Sequence, residues 1–224
     1  MGLTRHTGQM LRTDADVGAL FLEGARCTAR KLRDPKVASS WDRPSILEGQ
    51  SVSSLAGHLA RGGIWVVDDY LARGVPVGPV DYESAADYFL GLVTPMPAEE
   101  HQAIRDRGAE VASVGHAALM EEIDQRLDPL TERLRDLKAN TLITVAAGKV
   151  LRVSDYLVTR IVEQVVHLDD LAMSLDEGPC DYPADGRDLT LEVGVEMARS
   201  SAGTIGFIRA LFRQRAAESV LPVL

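Results

Sequence analysis

Two cysteines in 224 residues, Cys27 and Cys180, are too few and too far apart to read as a disulfide framework. No Cys-x-x-Cys pair is present, so nothing suggests a structural zinc site built on thiolates. No apolar run approaches the ~20 residues a membrane helix needs. The opening Met1-Gly2-Leu3-Thr4-Arg5-His6 leads into polar residues, with no apolar core of signal length. Positive charge is scarce as well. A net charge of −9 argues against a nucleic-acid binder and disfavours an anionic membrane as partner. There is no internal repeat and no low-complexity tract. The expectation is a soluble protein of a reducing, cytoplasmic compartment, and a small neutral or thiol substrate remains compatible with every one of these absences.

What is present is an ordinary globular composition, 46% hydrophobic and 25% charged. Helical signals dominate. Thr13 with Asp16 at the third position forms a capping-box-like start, and Val17, Leu20, Phe21, Gly24, Ala25, Thr28 and Leu32 follow at helical spacing until Asp34-Pro35 stops them. Cys27 borders that stripe and reads as a small core residue. Ser39 to Gln50 reads as a loop, and a second helix runs from about Ser51 to Arg73. There His58 shares a face with Ser54, Gly62 and Trp65. Gly62-Gly63 in mid-helix costs roughly 1 kcal/mol per glycine relative to alanine, which close helix packing or room for a ligand beside His58 would explain. Gly74 to Pro97 is Gly- and Pro-rich, with a short helix around Glu83 to Leu92. A long helix from Ala98 is expected to kink or restart at Asp128-Pro129 and end by Lys138. Thr141–Val145 and Val150–Val153 flank a glycine turn as a small hairpin, which must lie on the helices. Ser154 then caps the next helix, and a last one runs from near Asp188 towards Arg215, broken at Gly203 or Gly206. The apolar tail Val220–Leu224 is expected to pack back on the bundle.

The helix from Asp155 to Leu175 carries the chemistry. At roughly 100° per residue, Tyr156, Arg160, Glu163, His167, Asp170 and Ser174 fall in one narrow stripe. Val158, Ile161, Val165, Leu168, Ala172 and Leu175 cover the opposite side. The simplest account is an amphipathic helix with a wet polar stripe. Against it, the helix is apolar on nearly every side, and a buried polar stripe must find partners. Glu163 and His167, one turn apart, could hold a divalent metal between them if another element supplied a third donor. His58 is the first candidate for that donor. His116 is the second, although its position at the edge of an apolar face also fits a satisfied boundary histidine. His6 and His101 lie in polar surroundings and are set aside.

Three segments together resemble the DinB-like superfamily, specifically the metal-binding N-terminal domain of the mycothiol-dependent maleylpyruvate isomerase family and its actinobacterial relatives. The first is Trp41-x-x-Pro44-Ser45-x-Leu47-x-Gly49 leading into Val52-x-x-Leu55-x-x-His58-Leu59-Ala60. The second is Leu151-x-Val153-x-Asp155-Tyr156-Leu157, and the third Glu163-x-Val165-Val166-His167-x-x-Asp170-Leu171. The resemblance implies a mainly α fold, a DinB-like four-helix bundle, here with a small β-hairpin and an extra C-terminal helix. It implies one divalent metal, usually zinc, held by His58, Glu163 and His167. It further implies mycothiol as thiol cosubstrate, and transfer or isomerisation of a small electrophile.

On this reading residues 1–175 form the bundle, and 176–224 are a loop and helix packed on it within one domain. Arg160 and Asp170 are the candidate catalytic residues, Asp170 as an acceptor that orients a ligand imidazole and Arg160 as a holder of substrate oxygens. Trp65 and Tyr156 are the candidate cofactor-binding residues, with a structural role as the alternative for Tyr156 and Arg160. The segment after Pro179 is shorter than the isomerase's further domain, which favours a mycothiol S-transferase-like relative over maleylpyruvate isomerisation itself. Arg209, Arg213 and Arg215 could still overhang the cleft. A metal-stabilised binding bundle without turnover and a metal-dependent hydrolase are the rival readings, and a homodimer is left open.

Overall fold

The first helix, α1 (Asp14–Leu32), starts on the expected capping box: the Thr13 side chain accepts from the Asp16 N–H, and the Asp16 carboxylate accepts from the Thr13 N–H at 2.9 Å. The chain is described by a computed structural model over residues 13–213. Pro35 ends the ladder of α1 and occupies the first turn of a short helix, α2 (Pro35–Ser39). From Trp41 the backbone folds back on itself, with Ser45 N–H donating to the Gln50 carbonyl at 2.8 Å and Gly49 at φ +74° closing the turn. This loop delivers the chain into α3 (Val52–Ala60), capped by the Ser51 hydroxyl.

The second expected helix is real but not uniform. After α3 comes a π-helical turn, Arg61–Trp65, and then α4 (Val66–Leu71). A second π-helical turn, Phe89–Val93, extends α5 (Ala85–Tyr88) in the segment where a short helix is expected. Next are α6 (Ala98–Ala112) and α7 (His116–Arg135). Of the expected kink or restart at Asp128-Pro129, the structure rules out the restart, because α7 continues through Pro129. The chain breaks instead between Ala112 and His116, where Gly115 takes φ +87°, a conformation costly for any residue with a Cβ.

The hairpin pairs β1 (Leu142–Thr144) with β2 (Val150–Arg152) antiparallel, Ile143 opposite Leu151, and both of those side chains are fully buried against the helices. Helix α8 (Val153–Ser174) follows directly. Ser154 lies inside its first turn rather than capping it; the cap position is Arg152, whose guanidinium pairs with Asp155 at 2.9 Å. The last helix, α9 (Ala184–Phe212), begins a turn earlier than expected and breaks at Gly203, φ +69°. Arg215 and the tail Val220–Leu224 lie outside the described residues.

The fold is mainly α, a DinB-like bundle with a small hairpin and a C-terminal helix. Helix α1 packs on α8, α3 crosses α6, and α9 lies along α8. The α3–α6 crossing is set by glycine: a Cβ on Gly57 would stand 2.1 Å from the Gly108 carbonyl oxygen. The core is continuous, with Phe21, Leu55, Leu119, Ile143, Leu151 and Tyr156 among its buried side chains. No helix among the described residues is long and apolar enough to cross a membrane.

Candidate metal centre

Helix α3 brings His58, and one turn of α8 brings Glu163 and His167, to a common point. The His58 Nε2 lies 3.1 Å from Glu163 Oε2, and His167 Nε2 lies 3.4 Å from the same oxygen. All three donor atoms fall within 4.8 Å of one another. Four ligands placed tetrahedrally at zinc bond lengths stand roughly 3.3 Å apart, so two of these separations already suit such a metal. The donor set, two imidazole nitrogens and a carboxylate, is one that holds catalytic zinc. The two imidazoles meet edge-to-face, their ring centroids 4.7 Å apart. The residues fit the group.

The surroundings bias each donor. Burial, with the His167 and Arg160 charges, holds His58 below the usual imidazole range against the pull of Glu163. Burial also pushes His167 down, but the Asp170 and Glu163 carboxylates outweigh it and raise it to about 9. Glu163 is pushed up by burial, yet Arg160, His167 and His58 together hold it well below the usual carboxylate range. Without metal, the centre therefore stores a proton on His167 beside an ionised Glu163.

Behind the donors lies a polar scaffold. Asp170 Oδ2 accepts from His167 Nδ1 at 2.8 Å, which turns Nε2 towards Glu163, the geometry expected of an orienting carboxylate. Arg160 Nη2 is 3.8 Å from Glu163 Oε1, and its Nη1 donates to the Gly62 carbonyl at 3.3 Å. Gln164 donates to the Gly63 carbonyl at 2.6 Å and in turn accepts from the Tyr182 hydroxyl at 2.6 Å. The π-helical turn thus offers two carbonyls sideways to α8. Gly62 is not required to make room beside His58: a Cβ there would meet the imidazole at 3.7 Å, an ordinary contact, and the residue does not line the cavity onto which the donors open. Gly63 is tighter, at 3.3 Å from Gln164.

An apolar cavity of about 250 Å³ opens onto His58, Glu163 and His167, walled by Leu55, Phe89, Ile104 and Val162 among others. Arg160 is buried beneath the triad and does not line it. Trp65 and Tyr156 are core residues, 3% and 2% exposed, and do not line it either. The Arg126 guanidinium covers the Trp65 ring at 4.9 Å, and Arg160 covers Tyr156 at 4.8 Å. His116 is the satisfied boundary histidine: its Nε2 is 2.8 Å from the Leu32 carbonyl and its ring meets Trp41 edge-on. Arg209 and Arg213 are exposed and line no part of the cavity.

Sequence reasoning missed the rim. His101, set aside as exposed, lines the cavity together with Arg105 from α6, and Leu47 and Gln50 from the Trp41 loop. Helical spacing puts His101, Arg105 and Gly108 on one face of α6, but only the packing of Gly108 on α3 turns that face to the cavity. The Arg105 guanidinium donates only to the Gln102 amide oxygen, at 2.6 and 3.1 Å, and pairs with no carboxylate among the described residues. A larger cavity of about 550 Å³ lies between the start of α1 and the end of α7. Its lining brings no comparable donors together, so chemistry rather than size singles out the smaller one.

The family follows from here. Residues 21–172 match the model of the mycothiol maleylpyruvate isomerase N-terminal domain. The chain belongs to that family. Its fold is also similar to a crystal structure of a histidine-to-alanine mutant of mycothiol-dependent maleylpyruvate isomerase, with a TM-score of 0.51 and 18% identity over 85% of this chain and 70% of that one. At that identity the likeness speaks for the fold. No curated protein matches the chain.

Proposed function

We propose that the protein is a divalent-metal-dependent transferase or isomerase that uses mycothiol as thiol cosubstrate on a small electrophile. The observation that carries this is the convergence of His58, Glu163 and His167 at the floor of an apolar cavity, in a chain of a mycothiol-dependent family. Three protein donors leave a coordination position for a ligand on the cavity side. A divalent metal, for which zinc is the reading we adopt, lowers the pKa of a coordinated thiol so that thiolate is available near neutral pH.

The chain's own residues prepare that position. Asp170 accepts the hydrogen bond of His167 Nδ1–H and holds the proton on that nitrogen, so the Nε2 lone pair faces the centre. Arg160 anchors Glu163 and the Gly62 carbonyl together, and so acts as a positioning residue. Phe89, Ile104 and Val162 give the cavity apolar walls beside the donors. His101 and Arg105 supply polar groups at the rim for oxygens of the thiol or the electrophile. At about 250 Å³ the cavity admits a thiol group and a small electrophile rather than a drug-sized ligand.

The test incubates zinc-loaded protein with mycothiol and a panel of small electrophiles, maleylpyruvate included. Thiol-dependent conjugation or isomerisation, lost in Glu163→Gln, is the expected result. Turnover that needs no thiol would favour metal-dependent hydrolysis, and no turnover across the panel would favour a binding bundle.

A further inference from the structure

The chain's two cysteines, distant in sequence, meet where α1 faces the connector from α8 to α9. Cys27, on the buried side of α1, is 4% exposed, and its thiol donates to the Asp181 carbonyl at 2.9 Å. Cys180, the neighbour of Asp181, is half-buried against the same core, which places its thiol beside the Cys27 sulfur. The Cys180 thiol, helped by the Arg30 cation, brings the Cys27 thiol down to about 7 against the upward pull of burial, while Cys180 is pushed up. The connector is fastened on both sides of the sulfurs. Glu177 pairs with Lys31 and with Lys36, and the Tyr182 hydroxyl donates to Gln164. The two thiols are thus held in register by contacts that do not involve them.

We propose that Cys27 and Cys180 form a reversible dithiol–disulfide site, oxidised by a low-molecular-weight disulfide and stapling α1 to the α8–α9 connector. Cys180 is the sulfur that a small disulfide can reach. Cys180 gives up its proton to the neighbouring Cys27 thiolate as it attacks one sulfur of the small disulfide, whose S–S bond breaks to release a first thiolate that takes the proton on from Cys27. Cys27, the more acidic partner, then attacks Cys180 in the mixed disulfide and expels the second thiolate. The two protein thiol protons end on the two released thiolates. The protein dithiol loses two electrons, and the small disulfide becomes two thiols. The bond closes a loop that contains every element from α2 to the whole of α8, so it removes freedom chiefly from the unfolded chain. Its nearest structural consequence is at Tyr182, which holds Gln164 and through it the Gly63 carbonyl of the π-helical turn. The metal donors themselves are untouched.

The experiment equilibrates reduced full-length protein with glutathione and glutathione disulfide in varied ratio. Intact mass, thiol titration in denaturant and melting temperature are then read. The expected result is a thiol count falling from two to none and a mass lower by two hydrogens, with no glutathione retained. Melting is expected to rise by roughly 5–15 °C, the range for a long-loop disulfide in a domain of this size. Cys180→Ser, at the half-exposed position, should match the reduced protein and lose the oxidant-dependent rise. Two thiols that stay free in the most oxidising mixture would overturn the proposal. So would a retained glutathione adduct, a disulfide-linked dimer, or an internal disulfide that leaves melting unchanged.

Discussion

Glu163 meets both imidazoles through one oxygen and Arg160 through the other, so removing any donor changes the charge balance of the whole centre. His58→Ala is expected to reduce bound metal from about one equivalent to less than a tenth, read by elemental analysis of protein purified without chelator. Asp170→Asn keeps the three donors but weakens the hold on His167 Nδ1. Metal affinity should fall about 10–100-fold, measured by competition with a chromophoric chelator. The protonation state gives a further check. His167 is raised to about 9, so at neutral pH the metal-free imidazole is charged and must lose its proton to bind metal. Calorimetry in buffers of different ionisation enthalpy should show about one proton released per metal at pH 7 and affinity rising about tenfold per pH unit from 7 towards 9. In the metal-free protein the sign is opposite. The charged imidazole stabilises the fold fully below its ordinary pKa of 6.5, and that contribution is lost as the pH rises through 9. The donors were legible in the sequence because helical spacing alone puts Glu163, His167 and Asp170 on one face. His101 and Arg105 were not, because their role depends on where α6 lies against α3.

At the scale of elements, helix ends written in local chemistry were readable, as was the break of α9 at Gly203, and the π-helical turns were not. Thr13 with Asp16 and Asp34 with Pro35 mark α1 because caps and prolines act on their own backbone. A restart at Pro129 failed because α7 sacrifices one ladder bond and continues, while Gly115, in a left-handed conformation, makes the real corner. The π-helical turn at Arg61–Trp65 has no sequence signature of its own. Its glycine pair is visible, but the Arg160 and Gln164 side chains that take its carbonyls come from a helix a hundred residues away. The glycines separate two kinds of role. Gly57→Ala would drive a Cβ to 2.1 Å from the Gly108 carbonyl and is expected to cost at least about 1–3 kcal/mol in chemical denaturation. Gly62→Ala meets nothing closer than 3.7 Å and should lie within about 1 kcal/mol of the parent. If the two variants were equally destabilised, the α3–α6 crossing would not be set by Gly57.

For the whole molecule, a metal held by the triad would tie α3 to α8, two helices that otherwise meet through apolar packing and the scaffold of Arg160 and Gln164. A ligand that binds only the folded chain stabilises it by mass action, about 2.7 kcal/mol at a hundredfold excess over Kd. For a protein of this size that corresponds to a rise of roughly 5–10 °C in Tm, which His58→Ala should abolish. The mainly α bundle was legible from periodicity, and the residues that cluster at the candidate site from their spacing and the family resemblance. The meeting of Cys27 with Cys180 was legible from neither, since only the packed connector brings them together. The account rests on one point, that His58, Glu163 and His167 hold a metal. Diffraction from crystals of the zinc-loaded protein, recorded on both sides of the zinc absorption edge, tests it most directly. The account predicts one anomalous peak about 2.0–2.2 Å from His58 Nε2, His167 Nε2 and a Glu163 carboxylate oxygen. An empty triad, or a peak bound elsewhere on the chain, would contradict it.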